Sequence, residues 1–379
     1  MPTQPAADLL HHFGHLTDPR IERTKEHKLI DIVVIAICAI IAGADGWVAV
    51  ETFGRAKEKW LRTFLELPNG IPSHDTFGRV FGLLDPAAFE HAFGQWVASA
   101  RTRLAGQIIA LDGKTLRRSH DRYLGKNAIH MVSAWATAQR LVLGQRKIDD
   151  KSNEISALPE LLQVLALEGC IVTIDALGCQ TEIADTIIQR GADYVLAVKE
   201  NQGNLYEDVE DLFAGADEVA FRDVPHDFER EVTKDHGRLE IRECWVVSDP
   251  EYLAYVRRVE AWKNLRSIVR ICTEVRHEQT TRSRETRYFI SSRVDSAQAM
   301  INAVRGHWGI ENGLHWVLDV TFREDDSRVR KDHAPENFAV LRHIALNVLN
   351  RARTGKDSIK TMRLRAAWDE NFLANLLTQ

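Results

Sequence analysis

Two aspartates stand in the same sequence setting, each directly after a short apolar run. Asp112 follows Ile108–Leu111, Asp175 follows Ile171–Ile174, and small residues come after both. Because sites in open α/β sheets form at strand ends, we expect the two carboxylates to lie together on adjacent parallel strands. Like charges so close are costly without a counter-ion, which a divalent cation would supply. The alternative for each aspartate alone is a turn residue at a strand end.

A third acid, Glu311, falls on a predicted helix beside Trp308, Leu314 and Leu318, which should form its buried face. A glutamate at the edge of an apolar helix face is unusual unless it is paired. The alternative is a surface glutamate held by a salt bridge. Asp319 lies eight residues further on, about 12 Å along the helix, so it cannot take the place of Glu311.

A set of three carboxylates suits Mg²⁺, which prefers oxygen ligands in near-octahedral geometry. Two such ions about 4 Å apart can activate a water and stabilise the leaving oxygen in phosphodiester cleavage. We therefore predict a site for two Mg²⁺ ions, with Mn²⁺ as a substitute. Its catalytic and metal-binding residues are Asp112, Asp175 and Glu311.

A helical zinc site is the competing interpretation of this region, because His307 and His315 stand four residues to either side of Glu311. The two histidines are about 12 Å apart along a helix. One zinc ion with bonds of about 2 Å cannot bridge them. The acids at 324–326 are expected in a surface loop or at a helix start, where negative charge favours the helix dipole.

Charge is segregated along the chain, although its net value is −5. The stretch 101–147 holds ten Lys and Arg against two Asp, and 351–365 is also basic. Segregated basic patches suit phosphate contact even on an acidic protein. The candidates for phosphate contact are Lys114, Arg117, Arg118 and Lys199. The alternative is that these charges form solvated faces.

Composition and cysteine usage are those of an ordinary globular chain, with 45% hydrophobic and 27% charged residues. The five cysteines are scattered without a Cys-x-x-Cys pair, so neither a zinc ribbon nor a disulfide framework is indicated. The apolar run Ile32–Ala42 is shorter than the roughly 20 residues that a membrane span needs. It also lacks the flanks of a signal peptide, so we expect a cytoplasmic protein without membrane contact.

The elements change in type along the chain. Helical patterns fill 1–100, and the order strand, strand, strand, helix, strand, helix, strand in 101–202 predicts an α/β layered domain. The part 203–295 looks β-rich, with extended pairs in 229–247 and 267–291. Helical periodicity returns in 296–379.

Within the N-terminal part, three capping signals stand out. Asp31 is expected to cap a helix that runs through Ala42, and Ser73 and Asp85 are expected to open two further helices. A long helix is predicted over 47–65. No clear helix-turn-helix is present, but these helices are the candidate reader of a DNA partner.

Together these motifs resemble the DDE transposases of bacterial insertion sequences, above all the H-repeat-associated (ISAs-type) family. The resemblance covers nearly the whole chain. It rests on Asp31–Trp47, Pro72–Phe77, Ala110–Lys114, Thr173–Ala176, Val198–Gln202, His236–Glu240 and His307–Trp316.

The resemblance implies a ribonuclease-H-like catalytic core with a β-rich insertion, preceded by an N-terminal helical domain. It implies hydrolysis of phosphodiester bonds at element ends and transfer of the 3′ hydroxyl to target DNA. The partner is then double-stranded DNA, with a homodimer assembled on it. Arg238, within the His236–Glu240 motif, joins the candidate DNA contacts.

The sequence departs from the wider cut-and-paste pattern, which places Tyr, Arg, Glu and Lys along the late helix. Here Val304, His307 and Leu318 stand at the Tyr, Arg and Lys positions, and only Glu311 matches. His307 is a partial substitute for the Arg, and a weaker one near neutral pH.

Two other functions remain open on the sequence. One is a nuclease with the same core but no strand transfer, and the other is a DNA-binding remnant without catalysis. The presence of Asp112, Asp175 and Glu311 favours an active enzyme over the remnant.

Overall fold

The structure is a computed structural model, and it describes residues 6–100, 104–120, 127–148, 154–235, 238–277 and 280–378. Its helices are α1 (Ala7–Phe13), α2 (Leu29–Ile41), α3 (Trp47–Ala56), α4 (Glu58–Leu61), α5 (His74–Leu83), α6 (Pro86–Ala100), α7 (Glu154–Val164), α8 (Thr181–Gln189), α9 (Asn204–Glu218), α10 (Pro250–Leu253), α11 (Ala297–Ile310), α12 (Trp316–Val320), α13 (Ala334–Arg351), α14 (Ile359–Trp368) and α15 (Glu370–Leu377). Its strands are β1 (Ile108–Leu116), β2 (Ile129–Ala136), β3 (Leu141–Ile148), β4 (Ile171–Ile174), β5 (Asp193–Val198), β6 (Asp227–Asp235), β7 (Arg238–Val247), β8 (Ser267–His277) and β9 (Thr280–Ser291).

The fold is mixed α/β, as expected. The nine strands form one sheet in the order β3-β2-β1-β4-β5-β9-β8-β7-β6. Strands β1, β4 and β5 are parallel neighbours, and the other pairs are antiparallel. The predicted order of three strands, a helix, a strand, a helix and a strand is confirmed by β1, β2, β3, α7, β4, α8 and β5.

The first strand does not end where the sequence analysis placed its end. β1 continues past Asp112 to Leu116, because β2 goes on pairing with it there. Its parallel pairing with β4 stops at Leu111 and Ile174. Asp112 and Asp175 therefore directly follow the last positions at which β1 and β4 pair with each other.

The β-rich part is an extension of the same sheet rather than a second one. The two predicted extended pairs are the hairpins β6–β7 and β8–β9. β9 pairs with β5, with Leu196 opposite Ile290, and so joins the hairpins to the first five strands. α9 precedes them and buries Leu205, Val209 and Phe213.

The N-terminal helices pack on the rest of the protein through α13. α2 is apolar on all sides and almost wholly buried, as such a helix must be. α13 packs against both α2 and β3. Asn347 exchanges two hydrogen bonds with the backbone of Val142 on edge strand β3, each of 2.8 Å. One continuous hydrophobic core therefore links the N-terminal helices to the sheet.

Two of the three expected helix caps are present. Thr76 N–H donates to Ser73 Oγ (3.3 Å), and Ala87 N–H donates to Asp85 Oδ1 (3.2 Å). The expectation for Asp31 is wrong. Asp31 lies inside α2, which begins earlier, and its Oδ2 accepts a hydrogen bond from Leu67 N–H (3.0 Å). A buried carboxylate needs such a donor.

The helix predicted over 47–65 is also divided, into α3 and α4. Among the helices within the described residues, none has the length and apolar character that a membrane crossing requires.

Candidate active site

A cavity of about 670 Å³ opens at the edge of the sheet where β1 and β4 stop pairing. Asp112, Asp175 and Glu311 all line it, as do Lys199 and His307. Five of the nine candidate site residues from the sequence therefore meet in one place. They come from four separated segments of the chain: β1, the end of β4, the end of β5 and the late helix α11.

The carboxylate of Asp112 is largely buried, and other ionisable side chains lie near it. Its Oδ1 accepts a hydrogen bond from Gly113 N–H (2.9 Å), and His315 Nδ1 lies 3.5 Å from its Oδ2. Burial, followed by the negative charge of Asp175, raises the pKa of Asp112 to about 7. Its carboxylate is thus poised between protonation states near neutral pH.

Asp175 caps a single 3₁₀ turn, Ala176–Gly178, and its Oδ1 accepts a hydrogen bond from Leu177 N–H (3.2 Å). Burial and then the negative charge of Glu154 raise the pKa of Asp175, while Lys199 acts in the opposite direction. The turn residue that the sequence offered as an alternative is therefore present, but the same side chain also faces the cavity.

Glu311 follows α11 directly and begins a π-helical turn, Glu311–His315. π-helical turns are rare in proteins as a whole, but those that occur are often found at functional sites. Leu314 and Leu318 are buried as expected, but Trp308 is 39% exposed and stands at the cavity wall. The expectation that Trp308 lies on the buried face is therefore wrong.

Glycines explain how the late helix approaches the sheet. A Cβ on Gly306 would lie 2.8 Å from Ile108 Cδ1, and one on Gly313 would lie 2.9 Å from Trp135 Cζ2. The late helix therefore packs on the sheet through these two glycines. The small residues bring Glu311 to the strand that carries Asp112, and Trp308 is turned toward solvent.

The two histidines beside Glu311 have different partners. His307 Nδ1 shares a hydrogen bond with Thr173 Oγ1 (3.2 Å), and His315 approaches Asp112. Burial lowers the pKa of each to about 4. Both rings are therefore neutral near pH 7, and His307 can offer a hydrogen bond but not a positive charge to a phosphate.

Lys114 does not lie where a DNA contact was expected. Its ammonium group contacts Asp319 and Glu324, and its side chain is only 12% exposed. Glu324 also pairs with Arg342 (3.3 Å) and is buried, so the expected surface position is wrong for it. The alternative of a helix start is met, because Glu324 begins the 3₁₀ turn Glu324–Asp326. A buried glutamate requires cations around it, and Lys114 supplies one of them beneath the cavity.

Arg117, Arg118 and Arg238 lie on the surface. Arg117 and Arg118 follow β1 and face Asp325 and Asp326, each at 3.3 Å. Arg238 lies beside Glu240 (3.4 Å) in a second groove, which Glu311 also lines. The surface arginines are thus accessible, although their carboxylate neighbours compete with a phosphate.

The sequence analysis missed several residues around the cavity. The guanidinium of Arg287 lies 4.6 Å from the centre of the Trp308 ring, and Arg287 lines both the cavity and the second groove. Arg328 and Arg330 line a third groove, of about 1040 Å³, together with Arg79 of α5. A charge count shows that such arginines exist, but only tertiary contacts show which ones share a surface.

The donor set suits a hard divalent cation, since it consists of carboxylate oxygens crowded at a cavity. Burial raises the pKa of Asp112, and the negative charges of Asp175, Glu154 and Glu311 add to this effect, as expected for carboxylates that share one site. Within the described residues, however, no group of three or more His, Cys, Asp or Glu side chains meets closely enough to hold an ion as it stands. The carboxylates share a cavity without forming a closed ligand set.

Family comparisons agree with the resemblance in the sequence. Residues 103–348 match the model of the transposase DDE domain, and residues 10–97 match the model described as DDE_Tnp_1-associated. An H repeat-associated putative transposase of Escherichia coli K12, YhhI, is 39% identical over 97% of both chains. The putative transposase YncI of E. coli O157:H7 is 39% identical over 97% of this chain and 94% of its own.

Among solved structures, a piggyBac transposase synaptic complex with hairpin DNA aligns with 98% of this chain and 77% of its own, at 10% identity and a TM-score of 0.39. That likeness is too low to support an argument. The family models and the close relatives are sufficient: the chain belongs to the DDE transposase family of bacterial insertion sequences, in the H repeat-associated group.

Proposed function

We propose that this protein cleaves DNA at insertion-sequence ends and joins the freed 3′ hydroxyl to target DNA. Asp112, Asp175 and Glu311 are its catalytic residues. One observation carries the proposal: three acids that are 63 and 136 residues apart in the chain line a single cavity in a member of the DDE transposase family.

The catalytic core is ribonuclease-H-like in this proposal. The order β3-β2-β1-β4-β5, with β1, β4 and β5 parallel, supports it. Asp112 on the first strand and Asp175 after the fourth then stand side by side, and α11 delivers Glu311. One hydrophobic cluster contains buried residues from all four predicted units, 1–100, 101–202, 203–295 and 296–379. In this proposal the units therefore differ in function and are not separately folded domains.

The acids would hold two divalent cations, Mg²⁺ or in its place Mn²⁺. When bound, such ions supply a nucleophile at neutral pH and stabilise the leaving oxygen. The chain's own part is to place the carboxylates. β1 and the end of β4 position Asp112 and Asp175, and the glycine-lined face of α11 positions Glu311. His315 lies against Asp112 as a neutral neighbour.

Double-stranded DNA would follow the basic side chains that surround the cavity. Lys199 lines the cavity itself, and Arg238 lines the adjoining groove. Arg117 and Arg118 lie next to the third groove, because Arg330 donates a hydrogen bond to Arg118 O (2.9 Å). Lys114 is left out of this set, since its charge is already paired below the surface.

The third groove also gives the N-terminal helices a role. Residues of α5 and of the start of α3 form one of its walls, and a basic segment, 327–331, forms the other. This arrangement supports recognition of element ends by the N-terminal part. A homodimer assembled on the DNA would bring both ends of one element together, and the cytoplasm is where bacterial DNA is found.

The test is a pair of assays on DNA that carries the element ends, with Mg²⁺ present. Asp112→Asn, Asp175→Asn and Glu311→Gln should each lower nicking at least a hundredfold, and Asp211→Asn on the exposed face of α9 should not. Full nicking by any of the three variants would remove that acid from the site.

Strand transfer separates the competing functions. A pre-nicked end should join to a target duplex in the wild type and fail to join in Asp112→Asn. Nicking without any joining would mean that the protein is a nuclease with the same core. DNA binding without either reaction would mean that it is a catalytically silent remnant.

A further inference from the structure

The N-terminal end of α7 lies against the backbone of β1 next to Asp112 and against the turn that follows Asp175. An added Cβ on Gly113, next to Asp112, would lie 2.1 Å from Glu154 Oε1 and 2.6 Å from His130 Nε2. The carboxylate of Glu154 thus rests directly on the backbone beside Asp112. This close approach is the reason for a glycine at position 113, because any side chain there would displace Glu154.

The same helix face reaches the second aspartate's loop. Leu158, one turn after Glu154, lies 2.9 Å from the position of a Cβ on Gly178, which follows Asp175 by three residues. Residues four apart share a helix face. Glu154 therefore packs against β1 beside Asp112, and Leu158 packs against the turn that follows Asp175.

Side-chain contacts hold Glu154 in this place. His130 Nε2 donates a hydrogen bond to Glu154 Oε1 (2.5 Å), and His130 Nδ1 shares a second one with Thr115 Oγ1 (2.8 Å). His130 lies on β2 and Thr115 on β1, so both anchors belong to the strands beside the cavity. A carboxylate of α7 is thus fixed to the sheet and not left in solvent.

The charge of Glu154 acts on both aspartates. After burial, it is the largest cause that raises the pKa of Asp175, and it also raises the pKa of Asp112. This effect agrees with the contact at Gly113, since a carboxylate that close to the strand end repels its neighbours.

We propose that Glu154 is a fourth carboxylate of the active site and binds a divalent cation together with Asp112 and Asp175. His130 is its positioning residue, in the way that hydrogen bonds commonly orient carboxylates that bind metals. The inference rests on the proposed function and deepens it. A purely structural His130–Glu154 pair would stabilise the fold without any effect on cation binding.

Mn²⁺ binding to the full-length protein, without DNA, gives the decisive measurement. Titration followed by electron paramagnetic resonance should show a ten- to hundredfold weaker affinity in Glu154→Gln. Glu160→Gln is the matched control, because Glu160 lies on the same helix but is 64% exposed and pairs with Arg146 (3.3 Å). Equal affinity in wild type and Glu154→Gln would overturn the proposal.

Two further variants keep the outcome clear. His130→Gln retains the carboxylate but removes the imidazole, and should weaken Mn²⁺ binding less than Glu154→Gln does. If Glu154→Gln fails to fold, unchanged Mn²⁺ binding in His130→Gln overturns the proposal. Asp112→Asn tests the site itself: if it loses binding while Glu154→Gln does not, only this inference fails. If Asp112→Asn also binds Mn²⁺ and cleaves DNA normally, the proposed function fails.

Discussion

Asp112 combines burial with nearby negative charge, and that combination has a consequence for stability. Its pKa in the folded protein is raised to about 7 from an ordinary value of 3.8. Ionisation therefore costs folding free energy. The cost is absent below about pH 4, grows as the pH rises, and is complete above about pH 7.

Asp112→Asn should remove that cost. In the presence of a chelator, the variant should be more stable than the wild type at pH 8 by an amount on the order of 1–4 kcal/mol. The difference should shrink as the pH falls and vanish near pH 4. Thermal denaturation across this pH range measures it, and a constant difference at all pH values would show that Asp112 is not the cause.

Lys114 illustrates a second residue-scale effect, a buried cation that serves the fold. Lys114→Met would leave Glu324, which is 3% exposed, with Arg342 as its remaining partner. We expect a loss of about 3–5 kcal/mol in the free energy of unfolding, as for other broken buried pairs. Urea denaturation measures this loss.

Arg117→Met is the control for Lys114→Met, because the Arg117–Asp325 pair is largely exposed on the Arg117 side. It should change stability by less than about 1 kcal/mol. If Lys114→Met instead weakened DNA binding and left stability unchanged, Lys114 would be a phosphate contact after all.

At the scale of elements, the distance between α11 and β1 depends on residues without side chains. Gly306→Ala would push a methyl group against Ile108, four residues before Asp112, with its nearest atom at 2.8 Å. Overpacking of this kind costs about 1–3 kcal/mol. It should also lower DNA cleavage, because the shift separates Glu311 from Asp112.

Gly215→Ala in α9 is the matched control, since a Cβ there meets nothing within 4 Å. It should be neutral or stabilising by up to about 1 kcal/mol, as expected from helix propensity. Thermal midpoints and Mg²⁺-dependent nicking would be measured for both variants. Equal behaviour of the two would show that the close approach of α11 to the sheet does not matter.

At the scale of the whole molecule, DNA binding must overcome a net charge of −5. It depends on local basic surface, so affinity should fall steeply with salt. Arg117→Gln combined with Arg118→Gln should reduce the slope of log K against log salt by up to about 2, roughly one for each lost phosphate contact. Filter binding or anisotropy at several salt concentrations measures the slope.

Arg222→Gln, a change of an exposed arginine after α9, should leave the slope as it is. An unchanged slope in the double variant would place DNA away from the end of β1. In that case the second groove, which holds Arg238 and Arg287, becomes the better candidate for the DNA path.

Local patterns in the sequence were enough to indicate the strands, the order of elements and the three acids. Asp112 and Asp175 each follow a short apolar run, and that signal depends only on neighbours in the chain. Glu311 stands at the edge of an apolar helix face, and the family resemblance then supported it as the third acid. Period and turn chemistry also predicted the caps at Ser73 and Asp85, since capping is a local interaction.

Tertiary structure alone decided the partners of each charge. Lys114 and Arg117 are similar cations three residues apart, yet one is buried against Glu324 and the other is exposed. Glu154 looks like an ordinary helix-start acid until Gly113 and His130 are seen beside it. Burial and ion pairing depend on contacts between segments that are distant in sequence. The spacing of residues along the chain does not indicate which of these segments lie close together in space.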